Sequence, residues 1–185
     1  LIMINPEFKR QVEVLLDEKP PVVTLGAVQN TAVITRFKDN GIKVLPVVAS
    51  VAIARRAVQN GADAIIAEGS ESGGHIGETT TMVLVPLISQ AVDTPVIAAG
   101  GIAGGASMAA AFCLGAEGVQ IGTRFVCAEE CSVHDSIKQK YLKTGDRATV
   151  VTAQTIGYPV RTIKNKLAKV YEEWEKDYLK GSRTA

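Results

Sequence analysis

Short apolar runs separated by helical patterns recur along the 185-residue chain. Each run follows a turn signal and ends in glycine or serine, as in "NGIKVLPVVAS", "NGADAIIAEGS" and "TPVIAAGGIAG". The runs are continuous rather than alternating, which is typical of strands that are buried on both faces of a sheet. Because helix and strand patterns follow each other repeatedly, the sequence predicts an α/β fold of βα units around a parallel sheet.

The sequence defines five strands and the helices between them. The predicted strands cover residues 22–25, 43–48, 63–67, 95–99 and 118–122. The predicted helices cover residues 31–40, 51–60, 83–92 and 105–114. Polar or glycine-rich loops follow strand after strand, which favours a TIM-type (βα)8 barrel over an open sheet, since barrel sites are built from such loops. A complete barrel needs eight strands and typically about 250 residues, so we expect only the later βα units here, about strands 4 to 8.

The two ends of the chain bear on its domain organisation. The chain starts on Leu1 and not on methionine, and "LIMI" could be the stub of a further strand. Our hypothesis is therefore a piece of a longer protein whose first barrel strands precede it. We interpret residues 1–185 as one partial barrel domain, with βα units over 1–160 and an amphipathic helix over 161–180. An apolar stripe on this helix is expected to pack on the barrel; its members are Ile163, Leu167, Val170, Trp174 and Tyr178.

Composition excludes several classes of protein. The formal net charge is +1, from 20 basic and 19 acidic residues, whereas a nucleic-acid binder normally shows a basic surplus. Three cysteines are too few and too odd in number for a disulfide framework, so we expect reduced thiols and a cytoplasmic setting. Residues 95–116 carry no charge, but Gly100, Gly101, Gly104 and Gly105 interrupt them, so we expect a buried strand and helix and no membrane span.

Glycines close two consecutive predicted strands. "AAGGIAGG" places Gly100 and Gly101 between a strand and a helix, where backbone N–H groups can point at an anion. One strand later, "GVQIGTRF" ends in Gly122 and Thr123. The pair matches the recurring phosphate site of barrels, which uses the loops after strands seven and eight. The sequence therefore predicts a phosphate-binding site at these two strand ends.

The loop after the third predicted strand carries a histidine in "GSESGGHIGETTT". His75 can give or take a proton near neutral pH, and it follows the catalytic end of a barrel strand. Glu68, at the strand exit, could accept hydrogen bonds from a ligand. The alternative is a loop histidine bonded to the backbone. A zinc set of Cys127, Cys131 and His134 lacks a fourth ligand, so we expect no metal site.

With these residues assigned, the chain resembles the FMN-dependent family of nitronate monooxygenases and type II enoyl-acyl-carrier-protein reductases. The series "GGHIG", "AAGGIA" and "GTRF", in this order, carries the resemblance, which runs over nearly the whole chain. It implies a TIM-type barrel that binds FMN non-covalently and uses His75 as the catalytic histidine. It also implies a set of cofactor-binding residues around the FMN phosphate and ribityl chain: Glu68, Ala99, Gly100, Gly101, Gln120, Gly122 and Thr123. The chain departs from the reductase pattern at Val28, where glycine is usual, and at Gly104, where an acidic residue is usual.

The resemblance leaves the reaction open between three alternatives. In the first, NAD(P)H is the co-substrate and an enoyl thioester, carried by acyl carrier protein, is reduced. In the second, a nitronate is oxidised with O2, and His75 acts as the base. The third is an inactive or binding-only barrel fragment. The sequence favours the reductase-like branch, and a homodimer is consistent with a barrel of this sort.

Overall fold

The computed structural model describes residues 1–2, 5–26 and 32–181. The chain divides into two compact units. The first unit consists of residues 1–71 and 77–120, and the second of residues 72–76 and 121 onward. The chain therefore passes from one unit to the other after residues 71, 76 and 120.

Helices and strands alternate through the first unit. Its helices are α1 (Phe8–Glu18), α2 (Ala32–Asp39), α3 (Val51–Gln59), α4 (Thr81–Ser89) and α5 (Gly105–Cys113). The strands of the whole chain, in order, are β1 (Val22–Leu25), β2 (Lys43–Val48), β3 (Ile65–Glu68), β4 (Gly74–His75), β5 (Val96–Ala99), β6 (Gly118–Gln120), β7 (Thr149–Thr152) and β8 (Val160–Ile163). The second unit has the helices α6 (Thr123–Val126), α7 (Asp135–Leu142) and α8 (Lys166–Gly181).

The five strands of the first unit form one parallel sheet in the order β1-β2-β3-β5-β6. Each strand pairs with the next strand of this unit along the chain, and the order never reverses. A doubly wound sheet contains such a reversal, whereas consecutive units of a (βα)8 barrel do not. The predicted α/β fold with barrel-type βα units therefore agrees with the observed topology. Ile2 adds a single parallel bridge to Gly26, and Met3 and Ile4, the rest of the proposed stub, lie outside the described residues.

Burial along the strands differs from the expectation of two buried faces. In β2 every second residue is buried, namely Val44, Pro46 and Val48, while the residues between them are partly exposed. In β3 the consecutive residues Ile65, Ile66 and Ala67 are all buried. Helices pack against these strands, and the alternation in β2 shows that one of its faces is covered more fully than the other. The expectation of two buried faces is therefore wrong for β2 and holds for β3.

The second unit contains a small antiparallel sheet in the order β4-β8-β7. Here the predicted start of the amphipathic helix at residue 161 is wrong. Residues 160–163, "VRTI", form β8 instead of the start of a helix, because their β-branched side chains suit a strand that pairs along "TVVT" of β7. The chain then turns at Asn165, whose Oδ1 accepts a hydrogen bond from the N–H of Ala168 at 2.9 Å and caps α8. The regular βα series likewise ends at residue 120 and not at residue 160.

The apolar stripe of α8 does not pack as expected. Leu167, Trp174 and Tyr178 are each more than 60% exposed. Ala168 is the buried residue of this helix, and Glu175 accepts hydrogen bonds from the N–H and Oγ1 of Thr155 through Oε1. The helix therefore turns its Ala168 and Glu175 side inward and its aromatic side outward.

Some further expectations concern the cysteines and the membrane. Cys113 is exposed on α5, and all three cysteines are free thiols. Across residues 1–2, 5–26 and 32–181, no helix combines the length and the apolar character that crossing a membrane requires.

Candidate functional site

The ends of three neighbouring strands bring three of the expected residues side by side. The register pairs Glu68 with Ala99 across β3 and β5, and Ala99 with Gln120 across β5 and β6. All three residues stand at the last position of their strands, which is the carboxyl edge where barrels and open α/β sheets place their ligands. The register thus places the three residues side by side, while their contact with a cofactor stays a prediction.

The turn after β5 has a backbone that only glycine adopts easily. Gly100 has φ +96° and Gly101 has φ +70°. A Cβ at Gly100 would lie 2.8 Å from the carbonyl oxygen of Gly69, and one at Gly101 would lie 3.2 Å from the Cβ of Glu71. Within the part of the chain that the structure describes, no acceptor is bonded to the amide N–H of either glycine. The turn therefore offers two N–H donors that an anion can use.

A carboxylate and a hydroxyl brace this turn. The N–H of Thr81 donates to both carboxylate oxygens of Glu71, at 3.1 and 2.8 Å. The Oγ1 of Thr81 lies 2.9 Å from the carbonyl oxygen of Gly100, 3.2 Å from that of Ala99 and 3.0 Å from Oε2 of Glu71. Because Glu71 sits at the N-terminal end of α4, the positive end of the helix dipole offsets its charge beside the turn.

Sequence reasoning did not single out Glu71 or Thr81. The contact depends on two loops that meet only in the fold, and a threonine in "ETTT" and a glutamate ten residues earlier do not specify it. The signal in the sequence was weak, namely an acidic residue upstream of a predicted helix. The structure adds that the N-cap residue of this helix, Thr80, makes no side-chain capping bond. A helix without its own cap needs another acceptor for its first N–H groups.

The expected catalytic histidine lies in the second unit, on β4. Gly74 pairs with Arg161 and His75 pairs with Val160 of β8, and the N–H of Ile76 donates to the carbonyl of Pro159 at 3.0 Å. The backbone of His75 is thus fixed by a strand pair, while the residue itself is exposed. An imidazole held in this way remains accessible to a ligand, which a proton-transfer group requires.

The same loop lies next to another expected residue. A Cβ added at Gly73 would lie 3.7 Å from Oγ1 of Thr123, so the histidine loop and Thr123 are neighbours within the second unit. Thr123 follows Gly122, which has open space around its Cα and is exposed. No acceptor among the described residues is bonded to the N–H of Gly122 or Thr123.

Ser72, at the start of this loop, carries a polar atom without a partner. Its Oγ is buried, and no hydrogen-bond partner lies within reach among the described residues. A buried hydroxyl without a partner costs free energy, so such an atom in a native structure needs an explanation. A ligand oxygen is one explanation, and it agrees with the neighbouring Gly73 and Thr123.

These features fit a phosphate-bearing cofactor such as FMN. Within the first unit, the Gly100–Gly101 turn supplies unpaired amides in a cradle that a side chain would fill. Within the second unit, Ser72 separately supplies an unpaired hydroxyl. Donors of these kinds, backbone N–H and hydroxyl groups, are those that bind phosphate oxygens.

The rejected zinc set is also placed by the structure. The Nδ1 of His134 accepts a hydrogen bond from the N–H of Ser136 at 3.1 Å and caps α7. Its ring is therefore engaged in helix capping. In the described residues, no three His, Cys, Asp or Glu side chains are arranged to hold a metal ion.

Comparison with known proteins gives a consistent picture. A family model described as nitronate monooxygenase matches residues 2–182. FabK from Thermotoga maritima has a TM-score of 0.92 and 50% identity, covering 99% of this chain and 59% of FabK. A hydroxy-methyl-oxo-octahydro-indene-carboxyl-CoA dehydrogenase from Mycobacterium tuberculosis is 38% identical over 88% of this chain and 46% of its own length. A probable nitronate monooxygenase from Staphylococcus aureus is 34% identical over 95% of this chain and 53% of its own length.

The chain spans about half the length of the curated relatives it matches. The match to FabK confirms the predicted fold, an α/β arrangement that corresponds to part of a TIM-type barrel.

Proposed function

The chain belongs to the nitronate monooxygenase family, and from this we propose that it forms part of an FMN-dependent oxidoreductase that reduces enoyl thioesters with NAD(P)H. The Gly100–Gly101 turn is the observation that carries the proposal. Its two unpaired amides and its crowded surroundings provide a rigid receptor for the phosphate of FMN. FabK, the relative with 50% identity, is an enoyl-acyl-carrier-protein reductase of type II, which favours the reductase branch.

Thioester substrates have further support. The dehydrogenase from Mycobacterium tuberculosis is named for a carboxyl-CoA compound, so two of the relatives are named for acyl thioesters. We propose an enoyl thioester, carried by acyl carrier protein or CoA, as the substrate class.

In the proposed mechanism the chain binds and orients FMN and moves one proton. A bound FMN would supply the hydride-transfer chemistry between NAD(P)H and the β-carbon of the substrate. The amides of Gly100, Gly101, Gly122 and Thr123 are proposed to hold the phosphate, with Ala99 and Gln120 close by. Glu68 is proposed to contact the flavin or the ribityl chain.

His75 is the proposed proton-transfer group. It would protonate the α-carbon side of the substrate when the β-carbon receives the hydride. Its exposed position on β4, fixed by the pair with Val160, suits a group that must reach a bound substrate. General acid catalysis of this kind is typically worth about 10²- to 10⁴-fold in rate.

Nitronate oxidation is the second candidate, and the family description and the Staphylococcus aureus relative favour it. In that reaction His75 would remove the acidic proton next to the nitro group. A binding-only chain, with the phosphate turn but no turnover, is a third candidate of another class.

Visible spectra and anaerobic titrations separate these candidates. The purified protein should show flavin absorption bands, or acquire them on reconstitution with FMN. NADH or NADPH should then bleach the bands rapidly without O2, and an enoyl thioester should restore them. Bleaching by a nitronate and not by either nicotinamide would instead identify nitronate oxidation. A colourless protein that does not bind FMN would contradict the proposal and support neither enzyme.

A further inference from the structure

We propose that Thr81 is a positioning residue whose hydroxyl aims the amide N–H of Gly101 at the phosphate of FMN. This inference rests on the proposed function, because it assumes that the Gly100–Gly101 turn receives that phosphate. It adds a residue outside the turn, on α4, to the determinants of cofactor affinity.

The first step concerns one peptide plane. The carbonyl of Gly100 and the N–H of Gly101 belong to the same trans peptide unit and therefore point in opposite directions. The Oγ1 of Thr81 lies 2.9 Å from that carbonyl oxygen, which is the shortest of its three acceptor distances. When the hydroxyl donates there, it fixes the plane and directs the N–H of Gly101 away from Thr81.

The second step concerns the preceding peptide plane. The carbonyl of Ala99 accepts a hydrogen bond from the N–H of Gly69 at 2.9 Å, and the Oγ1 of Thr81 lies 3.2 Å from the same oxygen. This plane also carries the N–H of Gly100. Both unpaired amides of the turn are therefore oriented through carbonyls that contact Thr81.

The third step is that Thr81 itself has little freedom. Its residue surface is 8% exposed, and a Cβ added at Gly69 would overlap it. The N–H of Thr81 donates to the Glu71 carboxylate, so the backbone of Thr81 is anchored without using the hydroxyl. The single hydroxyl proton has three acceptors within 3.2 Å, and the nearest of them, at 2.9 Å, is the carbonyl oxygen of Gly100 in the turn.

The orientation of this hydroxyl differs from that of an ordinary helix cap. A capping hydroxyl accepts from N–H groups of its own helix. Thr80 occupies the N-cap position of α4 and makes no such bond, while the hydroxyl of Thr81 faces carbonyls of another loop. The contact therefore stabilises the turn after β5 more directly than it stabilises α4.

Binding of two flavins to matched variants tests the inference. Riboflavin lacks the phosphate of FMN, so it reports every flavin contact except the one in question. Dissociation constants for FMN and riboflavin would be measured by quenching of flavin fluorescence on the apo-protein, for wild type, T81V, T81S and T80V. Valine keeps the shape of threonine and removes the hydroxyl. T80V makes the same change at an exposed neighbour whose side chain makes no capping bond.

We expect T81V to bind FMN roughly tenfold more weakly, which corresponds to about one hydrogen bond, while its affinity for riboflavin changes less than about twofold. T81S and T80V should bind both flavins like wild type. If T81V does not fold, E71A provides the second measurement, and it should weaken FMN roughly threefold by releasing Thr81.

The outcomes separate this inference from the proposed function. If wild type binds FMN and T81V binds it with the same affinity, the inference is overturned while the proposed function stands. Equal weakening of FMN and riboflavin in T81V would also overturn it, since Thr81 would then have a general structural role. Wild type that binds neither flavin would overturn the proposed function and this inference together.

Discussion

The two units of the chain differ in how much of their structure is buried. Apart from Ala168, every buried hydrophobic residue of the described chain lies in the first unit. The Gly100–Gly101 turn is attached to that core, next to the buried residues Ala98 and Ala99. His75 instead belongs to the second unit and is held by a two-residue strand pair. The comparison indicates that the proposed phosphate-binding turn is preorganised by a packed core, whereas His75, the proposed proton-transfer residue, is held in place by backbone pairing.

The largest effect is expected for a substitution of His75, which should change the rate of thioester reduction and leave FMN binding unchanged. H75A should lower the rate of thioester reduction by about 10²- to 10⁴-fold, because it removes the proposed proton donor. The affinity for FMN and the rate of flavin reduction by NAD(P)H should stay near wild type. Stopped-flow absorbance would measure the two half-reactions separately.

H134A is the matched control for this change, since His134 is also an exposed histidine but only caps α7. It should leave both half-reactions unchanged. An H75A variant that turns over at the wild-type rate would refute the proposed role of the second unit in the chemistry.

The next effect concerns the backbone of the binding turn. G100A should destabilise the protein by about 1–3 kcal/mol, because alanine is strained at φ +96° and its Cβ would meet the carbonyl of Gly69. FMN binding should weaken as well. Urea unfolding and flavin titration would measure both. G105A is the control, because Gly105 begins α5 with open space around it. If G100A were as stable as G105A, the turn would not be the rigid element that the comparison requires.

A smaller effect is expected at Asp63, which lies in the first unit away from the turn. The Nζ of Lys38 donates to Oδ1 of Asp63 at 2.5 Å, and the N–H of Val44 donates to its Oδ2 at 2.8 Å. Burial raises the pKa of Asp63, but these hydrogen bonds and the charge of Lys38 outweigh burial, so that the pKa lies below its usual value. A carboxyl with a lowered folded-state pKa stabilises the fold above its unfolded pKa, and this stabilisation is lost as the pH falls through the folded value.

This contact should contribute about 1 kcal/mol to the unfolding free energy of wild type, and that contribution should be lost as the pH falls below about 4. D63N should be less stable than wild type at pH 7, and the difference should shrink in acid. Urea unfolding at several pH values would measure it. A difference that stays constant with pH would show that the charge of Asp63 does not contribute.

The smallest effect concerns the orphan hydroxyl of the second unit. S72A should weaken FMN binding by roughly threefold if a cofactor oxygen is the missing partner. The apo-protein should be equally stable or slightly more stable, because the substitution removes a buried hydroxyl without a partner. Thermal unfolding of the apo-protein and FMN titration would show whether the two quantities move in opposite directions. A less stable apo-protein with unchanged FMN affinity would contradict this interpretation.

The sequence predicted the first unit better than the second for physical reasons. Strands β1 and β2 begin and end where their continuous apolar runs do, and each of the four predicted helices was placed within three residues of its observed ends. In the second unit, Ile163 fitted the helical stripe, but in the structure it pairs with Thr149 across β7 and β8. Its strand pairing depends on β7 and on Gly74 and His75, which lie far away in the chain.

The candidate site likewise contains some features that the sequence could predict and others that it could not. Glu68, Ala99 and Gln120 could be predicted as neighbours because parallel strands in sequential order share their carboxyl edge. The bracing of Gly100 by Thr81 could not, since it depends on the meeting of two loops. The orphan hydroxyl of Ser72 is visible only when its surroundings are known. Val28, where the chain departs from the reductase pattern, lies outside the described residues.

The strand pair that holds His75 has a consequence for the order of events during synthesis. Val160 comes 85 residues after His75 along the chain. The ribosome must therefore release all βα units of the first unit, and most of the second, before this pair can form. The pairs between successive parallel strands join segments much closer in sequence and can form earlier. The nascent chain can thus form the Gly100–Gly101 turn, the proposed phosphate-binding element, before the backbone of His75 is paired.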